Sequence, residues 1–177
     1  FTVSYNKVAG NVYGMYIYSS SGFTVSYNNV TGNSYSGIYL YYSSSNTISY
    51  NSITNSWYGI WLDSYSESNI LIGNTIRGNS YGGIRLNMSL GNIIYHNNFV
   101  DNTPQASTDG SPNTWDNGYP SGGNFWSDYQ ARYPSAAEID SSGIWNTPYV
   151  VDANNPDRYP LMAPFARAAL SISISPT

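Results

Sequence analysis

The chain has 177 residues, only 9% of them charged, and a formal net charge of −4 at pH 7. That length suits one core, or a core with a smaller appendage, and 41% hydrophobic with 16% aromatic content is not the composition of a disordered chain. No basic patch offers itself to nucleic acid, no cysteine supports a disulfide or thiolate site, and no run of about 18 apolar residues spans a membrane.

From Phe1 to about residue 103 the chain repeats itself, and the repeat decides the fold. Asn6, Asn28, Asn51, Asn74 and Asn97 follow one another at intervals of 22, 23, 23 and 23 residues. Three residues before them stand Val3, Val25, Ile48, Leu71 and Ile94, and two after them Val8, Val30, Ile53, Ile76 and Phe99. Farther along, a glycine opens an apolar-x-apolar triplet at Gly14, Gly37, Gly59 and Gly83. Each unit therefore carries three short stretches of strand-type alternation, split by Asn, Gly and Ser. One unit cannot bury its own apolar side, so units must stack. The result is an all-β parallel solenoid with coils about 4.8 Å apart.

The repeated residues suggest roles. Asparagine tolerates left-handed backbone, and its amide can bond the copy one coil away, giving an Asn6–Asn28–Asn51–Asn74–Asn97 ladder. The glycines before the triplets are expected to use the same backbone freedom. Tyrosines are placed outward in three ladders. One is Tyr5, Tyr27 and Tyr50, continuing to Gly73 and His96. The second is Tyr13, Tyr35, Tyr58 and Tyr81, and the third is Tyr16, Tyr39 and Trp61, ending at Arg85.

Beyond the repeats come the aromatic-rich stretches "NTWDNGYPSGGNFWSDY" (113–129) and "NTPYVVDANNPDRYPLM" (146–162). Residues 104–166 are expected to cap the C-terminal end, with Trp115, Tyr119, Pro120, Phe125, Trp126 and Tyr129 folding over the last coil. Residues 167–177, which include "ALSISISPT" (169–177), read as an extended strand or linker, either leading to a further domain or donated to a neighbour. The sequence shows no signal peptide and Phe1 falls partway through a repeat, so the chain is expected to be a mature or partial piece of something longer.

Units of the form N-x-I-x-x-N-x-I…G-I-x-L resemble the right-handed parallel β-helix repeats of the NosD-type proteins, named for periplasmic copper binding. The two tail stretches resemble the closing region of archaeal surface proteins of this type. The resemblance implies a right-handed coil and an extracellular or cell-surface location. Copper is not carried over, because the soft donors are His96, Met15, Met88 and Met162, scattered over different coils and the tail. Related tails have a calcium-like acidic loop before T-P-Y. Here "EIDSSGIWNTPY" (138–149) leaves only Glu138 and Asp140 as oxygen donors, so the resemblance supports calcium weakly and no metal ligand is assigned.

Tyr16, Tyr39 and Trp61 are carbohydrate-stacking candidates, weighed against plain covering of the sheet. Asp63, Glu67 and Arg85 lie on neighbouring coils. They read either as an acid/base cluster or as a surface ion pair of Asp63 with Arg85. His96 reads as structural. No nucleophile elbow, phosphate loop or H-E-x-x-H motif occurs, so no catalytic, cofactor-binding or metal residue is assigned. Asn29 and Asn87 begin the two N-x-S/T sequons and are expected to face solvent as glycosylation candidates.

The preferred reading is a non-enzymatic extracellular structural protein, a solenoid segment of a surface layer, stalk or filament. The alternative is a carbohydrate-binding or polysaccharide-cleaving β-helix, since fold alone does not choose between them. Expected partners are further protein at the N-terminal end, from the same chain or another copy, and glycans.

Overall fold

The computed structural model describes residues 1–167. Its first coil contains strands β1 (Thr2–Ser4), β2 (Lys7–Ala9) and β3 (Tyr13–Tyr18). The second contains β4 (Thr24–Ser26), β5 (Asn29–Thr31) and β6 (Ser36–Tyr41), and the third β7 (Thr47–Ser49), β8 (Ser52–Thr54) and β9 (Tyr58–Asp63). The fourth contains β10 (Ile70–Ile72), β11 (Thr75–Arg77) and β12 (Gly82–Asn87), and the fifth β13 (Ile93–Tyr95), β14 (Asn98–Val100) and β15 (Ala106–Thr108). Every coil gives one strand to each of three parallel sheets, making a right-handed parallel β-helix.

The register stacks like on like. Val25 pairs with Ile48, Ile48 with Leu71 and Leu71 with Ile94 in the first sheet. Val30, Ile53, Ile76 and Phe99 align in the second. In the third, Ile38, Ile60 and Ile84 form one column and Leu40, Leu62 and Leu86 the next. All of these side chains are buried. Apolar burial of this kind supplies the favourable free energy that a single coil lacks.

Asparagine forms the predicted ladder, but it does not take the left-handed backbone. Asn6 Nδ2 donates to Asn28 Oδ1, and the pattern repeats through Asn51, Asn74 and Asn97 at 2.9–3.0 Å, running on to Asn124. Each amide points into the solenoid, where it also receives the backbone N–H of the copy in the preceding coil. The left-handed residue is the one before it: Tyr5, Tyr27, Tyr50, Gly73 and His96 have φ between 55° and 68°. The reason is geometric, because the turn must aim the asparagine side chain inward, so the positive φ falls on its predecessor.

The triplet glycines also differ from expectation. Gly59 has no positive φ, but a Cβ there would lie 2.5 Å from the Gly83 carbonyl oxygen and 2.6 Å from Ile76 Cγ2. Gly14, Gly37 and Gly83 show the same crowding. Glycine is required here for close approach of the coils rather than for backbone freedom.

The winding continues beyond residue 103. β15 lies beside β12, Thr114 bridges to Ile93, and β16 (Phe125–Trp126) adds to the second sheet beside β14. A short helix α1 (Tyr129–Arg132) and an antiparallel hairpin, β17 (Tyr149–Asp152) with β18 (Asn155–Asp157), complete the cap. Trp126 stacks on Phe99 at 4.4 Å and on Tyr149 at 4.0 Å, and Trp115 is fully buried. Tyr119 instead is exposed and its ring faces Tyr159.

Two carboxylates tie the cap together. Asp116 accepts a two-pronged bond from Arg158, both contacts at 2.9 Å. Burial alone would raise its pKa, but Arg158 and two backbone N–H donors hold it below the ordinary carboxylate value. Asp157 is fully buried and accepts from Asn124 N at 2.7 Å and Trp126 Nε1 at 2.9 Å. Loss of water pushes its pKa up to about 7. From the cap, Phe165 stacks on His96 at 4.2 Å, and the Arg167 guanidinium lies over Tyr50 at 5.5 Å. The serine-alternating stretch at 169–177 lies outside the described residues.

Candidate functional site

Four of the third sheet's five strands have six residues, against three or fewer in every strand of the other two, so it presents the widest outer face. Its outward positions are aromatic. Tyr16, Tyr39, Trp61 and Arg85 stand in register as one row, and Tyr18, Tyr41, Asp63 and Asn87 as the next. Tyr13 aligns with Ser36, Ser36 with Tyr58 and Tyr58 with Gly82. The second expected ladder is therefore displaced: Tyr35 and Tyr81 sit one residue before that row, alongside Trp57. Their rings nevertheless reach it, with Tyr13–Tyr35 and Tyr58–Tyr81 both meeting edge to face at 5.3 Å. The second sheet turns mainly Thr, Ser and Asn outward, from positions such as Asn29, Thr31, Ser52 and Thr54, whereas the first passes from Thr24, Ser26, Thr47 and Ser49 to Ile70, Ile72, Ile93 and Tyr95.

The rings form a continuous surface. Tyr16 stacks on Tyr39 at 5.2 Å, Tyr39 meets Trp61 at 4.9 Å, and Tyr18 stacks on Tyr41 at 5.9 Å. Tyr16 and Tyr18 are more than half exposed, at 52% and 56%, whereas Tyr39 and Tyr58 are buried under their neighbours. Burial raises the hydroxyl pKa of Tyr39, and the nearby Asp63 raises it further. The hydroxyls of Tyr35 and Tyr58 are raised by burial as well.

Asp63 and Arg85 do not form the expected ion pair. Asp63 lies in register with Asn87, two residues beyond Arg85. It accepts from Asn87 Nδ2 at 2.7 Å and from Tyr39 Oη at 3.1 Å. Arg85 turns toward the start of the strands, with its Cζ 5.9 Å from the Tyr58 ring and 5.8 Å from Trp61. Its Nε and the Trp61 Nε1 are both buried without a hydrogen-bond partner.

The remaining singled-out residues are dispersed. Asn29 is exposed between buried Asn28 and Val30, while the Asn87 amide is engaged by Asp63. His96 Nε2 lies 2.8 Å from the Ser121 carbonyl oxygen. Met15 packs at the first coil, Met88 is exposed and Met162 packs against the cap. Among the described residues no three His, Cys, Asp or Glu side chains converge as a metal-binding group. The donors present do not fit a copper site. Glu138 Oε1 accepts from Gly143 N at 2.7 Å, closing a turn in which Asp140 and Ser141 have positive φ.

Counting each ladder separately hides the aromatic face. The signal in the sequence is the Tyr16, Tyr18 spacing, which puts two rings on one side of one strand and recurs as Tyr39 with Tyr41.

The family described as "Periplasmic copper-binding protein (NosD)" matches residues 1–131. Among solved structures, a crystal structure of a double mutant of the periplasmic alginate epimerase AlgG is similar at 29% identity and a TM-score of 0.53. The match covers 56% of this chain and 25% of that one, so the chain spans about a quarter of the epimerase's length. No curated protein matches.

Proposed function

The chain belongs to the NosD family of parallel β-helix proteins, and from that premise we propose that it binds polysaccharide outside the cytoplasm, along the aromatic face of its third sheet. The carrying observation is the breadth of the ring patch on that face, where several aromatic side chains per coil adjoin one another. A covering role alone would not need several rings per coil; elsewhere aromatics form the single-file Tyr5–Tyr27–Tyr50 stack, and the second sheet carries mostly short polar side chains. Exposed rings such as Tyr16 and Tyr18 can meet the apolar faces of sugars while their hydroxyls offer hydrogen bonds. The neighbouring structure is an enzyme described as acting on alginate, and both it and the family are described as periplasmic. These descriptions support the ligand class and the location.

Binding, not turnover, is the reading favoured here, because Asp63 already has both carboxylate oxygens engaged by Tyr39 and Asn87. The test is native electrophoresis through gels containing alginate, mannan or no glycan. The protein should migrate more slowly in at least one glycan gel. Equal mobility in every gel of a wider polysaccharide panel would refute the reading.

A structural role in a surface assembly is the second reading. Its supporting observation is the first coil, where β1, β2 and β3 each pair on one side only and a cavity of about 400 Å³ is lined by Val3, Met15, Ile17, Phe23 and Val25. Further protein stacked there would bury that apolar surface. Negative-stain images showing only single particles would argue against it.

A further inference from the structure

We propose that a notch at the corner between the second and third sheets holds an uncharged pyranose ring of the bound polysaccharide, an inference that rests on the binding reading above. The notch comes from a difference in turn length. The inward ladder aligns Asn33, Ser56 and Asn79, and strand register aligns Ser36, Tyr58 and Gly82. Between those two rows the second coil has Ser34 and Tyr35 and the fourth has Ser80 and Tyr81, but the third has Trp57 alone. The third turn is therefore recessed between its neighbours. The space left is about 450 Å³ and is lined by Gly32, Ser34, Asn55, Trp57, Gly78 and Ser80 with the ladder residues behind them, a size within the range of small-ligand sites.

The lining has the chemistry of a sugar site. Trp57 meets Tyr35 and Tyr81 at steep angles of 74° and 60° instead of stacking flat on them, and it stays 38% exposed. Its indole gives an apolar wall that adjoins Tyr58 of the aromatic face, 5.8 Å away. Ser34, Asn55 and Ser80 are exposed and stand outside the ladder, which runs through Asn33, Ser56 and Asn79. Their hydroxyls and amide offer both donors and acceptors, as ring hydroxyls require. Among the described residues no Asp, Glu, Lys or Arg lines the notch, and Arg77, beside Gly78, is paired with Asp101 at 3.8 Å. A carboxylate would lose water here without gaining a cation, so the notch favours a neutral sugar over an acidic one.

Gly32 keeps the notch open. Its φ is +63°, and a Cβ there would meet nothing within 4 Å. Asn55 occupies the equivalent turn of the next coil at a φ of 53°, with its Oδ1 3.1 Å from where a Gly78 Cβ would stand. An asparagine at position 32 would lean in the same way toward Asn55 and fill the notch, in a backbone conformation that asparagine accepts.

The test is calorimetric titration with mannohexaose, cellohexaose and maltohexaose, and with hexamannuronate as the acidic comparator. At least one neutral hexamer should bind more tightly than hexamannuronate. Gly32→Asn and Trp57→Ala should each weaken that neutral ligand by about threefold or more. Gly10→Asn, at the same turn of the first coil and in equally open surroundings, matches Gly32→Asn in backbone cost and should leave affinity unchanged. A smaller loss in either notch variant, or an equal loss in Gly10→Asn, would overturn the inference and leave polysaccharide binding standing. Hexamannuronate binding at least as tightly as every neutral hexamer would overturn the assignment to an uncharged sugar. No binding of any hexamer would remove the binding reading as well.

Discussion

Asn51 sits at the centre of the longest amide ladder, and removing its side chain should cost much of the solenoid's stability. Its Oδ1 accepts from Asn28 N at 2.9 Å and Asn28 Nδ2 at 3.0 Å. Its Nδ2 donates to Asn74 Oδ1 at 3.0 Å and to the Val25 carbonyl at 2.9 Å. Asn51→Ala orphans the buried Asn28 N–H, a loss of about 1–3 kcal/mol, and removes three further bonds with a net value of about 0.5–1.5 kcal/mol each. The sum is about 2.5–7.5 kcal/mol, against a total stability of about 5–15 kcal/mol for an ordinary domain.

Asn51→Asp is the sharper probe. It keeps the shape and both acceptor contacts, but an oxygen then faces Asn74 Oδ1 and the Val25 carbonyl, and a charge is buried. At neutral pH it should be at least as damaging as alanine. Its folded pKa would be raised above the unfolded value, so stability should return as pH falls and the acid regains a proton to donate. Urea unfolding followed by far-UV circular dichroism and tryptophan fluorescence reads both effects. Ser52→Ala, on the exposed neighbour, should fall within about 0.5 kcal/mol of wild type. An Asn51→Asp protein that unfolds at the wild-type midpoint at pH 7 would refute the argument.

Gly59→Ala should lower the melting temperature more than Gly22→Ala. The first forces a Cβ to 2.5 Å from the Gly83 carbonyl, at about 3 kcal/mol or more, the upper end of overpacking. The second meets open space and costs only the left-handed strain of about 1–2 kcal/mol at its φ of +70°. The order is checked by calorimetry, and equal losses would contradict it. Asp157 should make the cap more stable in mild acid. Its folded pKa of about 7 exceeds the unfolded value of about 3.9, so its contribution is full below about pH 4 and is lost as pH rises through about 7. Asp157→Asn should flatten that part of the melting-temperature profile between pH 5 and 8, and an unchanged profile would be the contrary result.

The period of the repeat, its apolar columns and one amide ladder were legible because each is a fixed residue type at a fixed interval. Three further inward ladders were not: one varies in residue type, and the two constant ones are lost among the many other serines and asparagines of the turns. Asn33, Ser56, Asn79 and Asn102 form one, Ser43, Ser66 and Ser89 another, and Asn46, Asn69, Asn92 and Asn113 the third. Serine and asparagine satisfy the same backbone N–H from the same turn, so composition alone obscures the row. The left-handed tyrosines were hidden by their type, since Tyr27 and Tyr50 accept positive φ only because the inward asparagine after them requires it. The displaced Tyr35 and Tyr81 show the limit of counting. Neighbouring outward rings of one strand and its turn can pack into one surface without sharing a register. Asp63 and Arg85 were correctly placed on adjacent coils, but a two-residue offset in register and the pull of two aromatic rings kept them apart.

The most direct test of the aromatic face removes equal numbers of rings from two surfaces and measures polysaccharide affinity by calorimetry. Tyr16→Ser with Tyr18→Ser strips exposed rings from the third sheet. Tyr5→Asn with Tyr27→Asn strips two stacked rings from the opposite corner, at positions whose positive φ asparagine accepts. The account predicts that the first pair weakens binding by about fivefold to a hundredfold, from about 0.5–1.5 kcal/mol per ring. The second pair should leave affinity within about twofold, since a surface that makes no contact with the ligand adds nothing to its binding. Equal losses from both pairs, or a larger loss from the corner pair, would contradict a binding face on the third sheet.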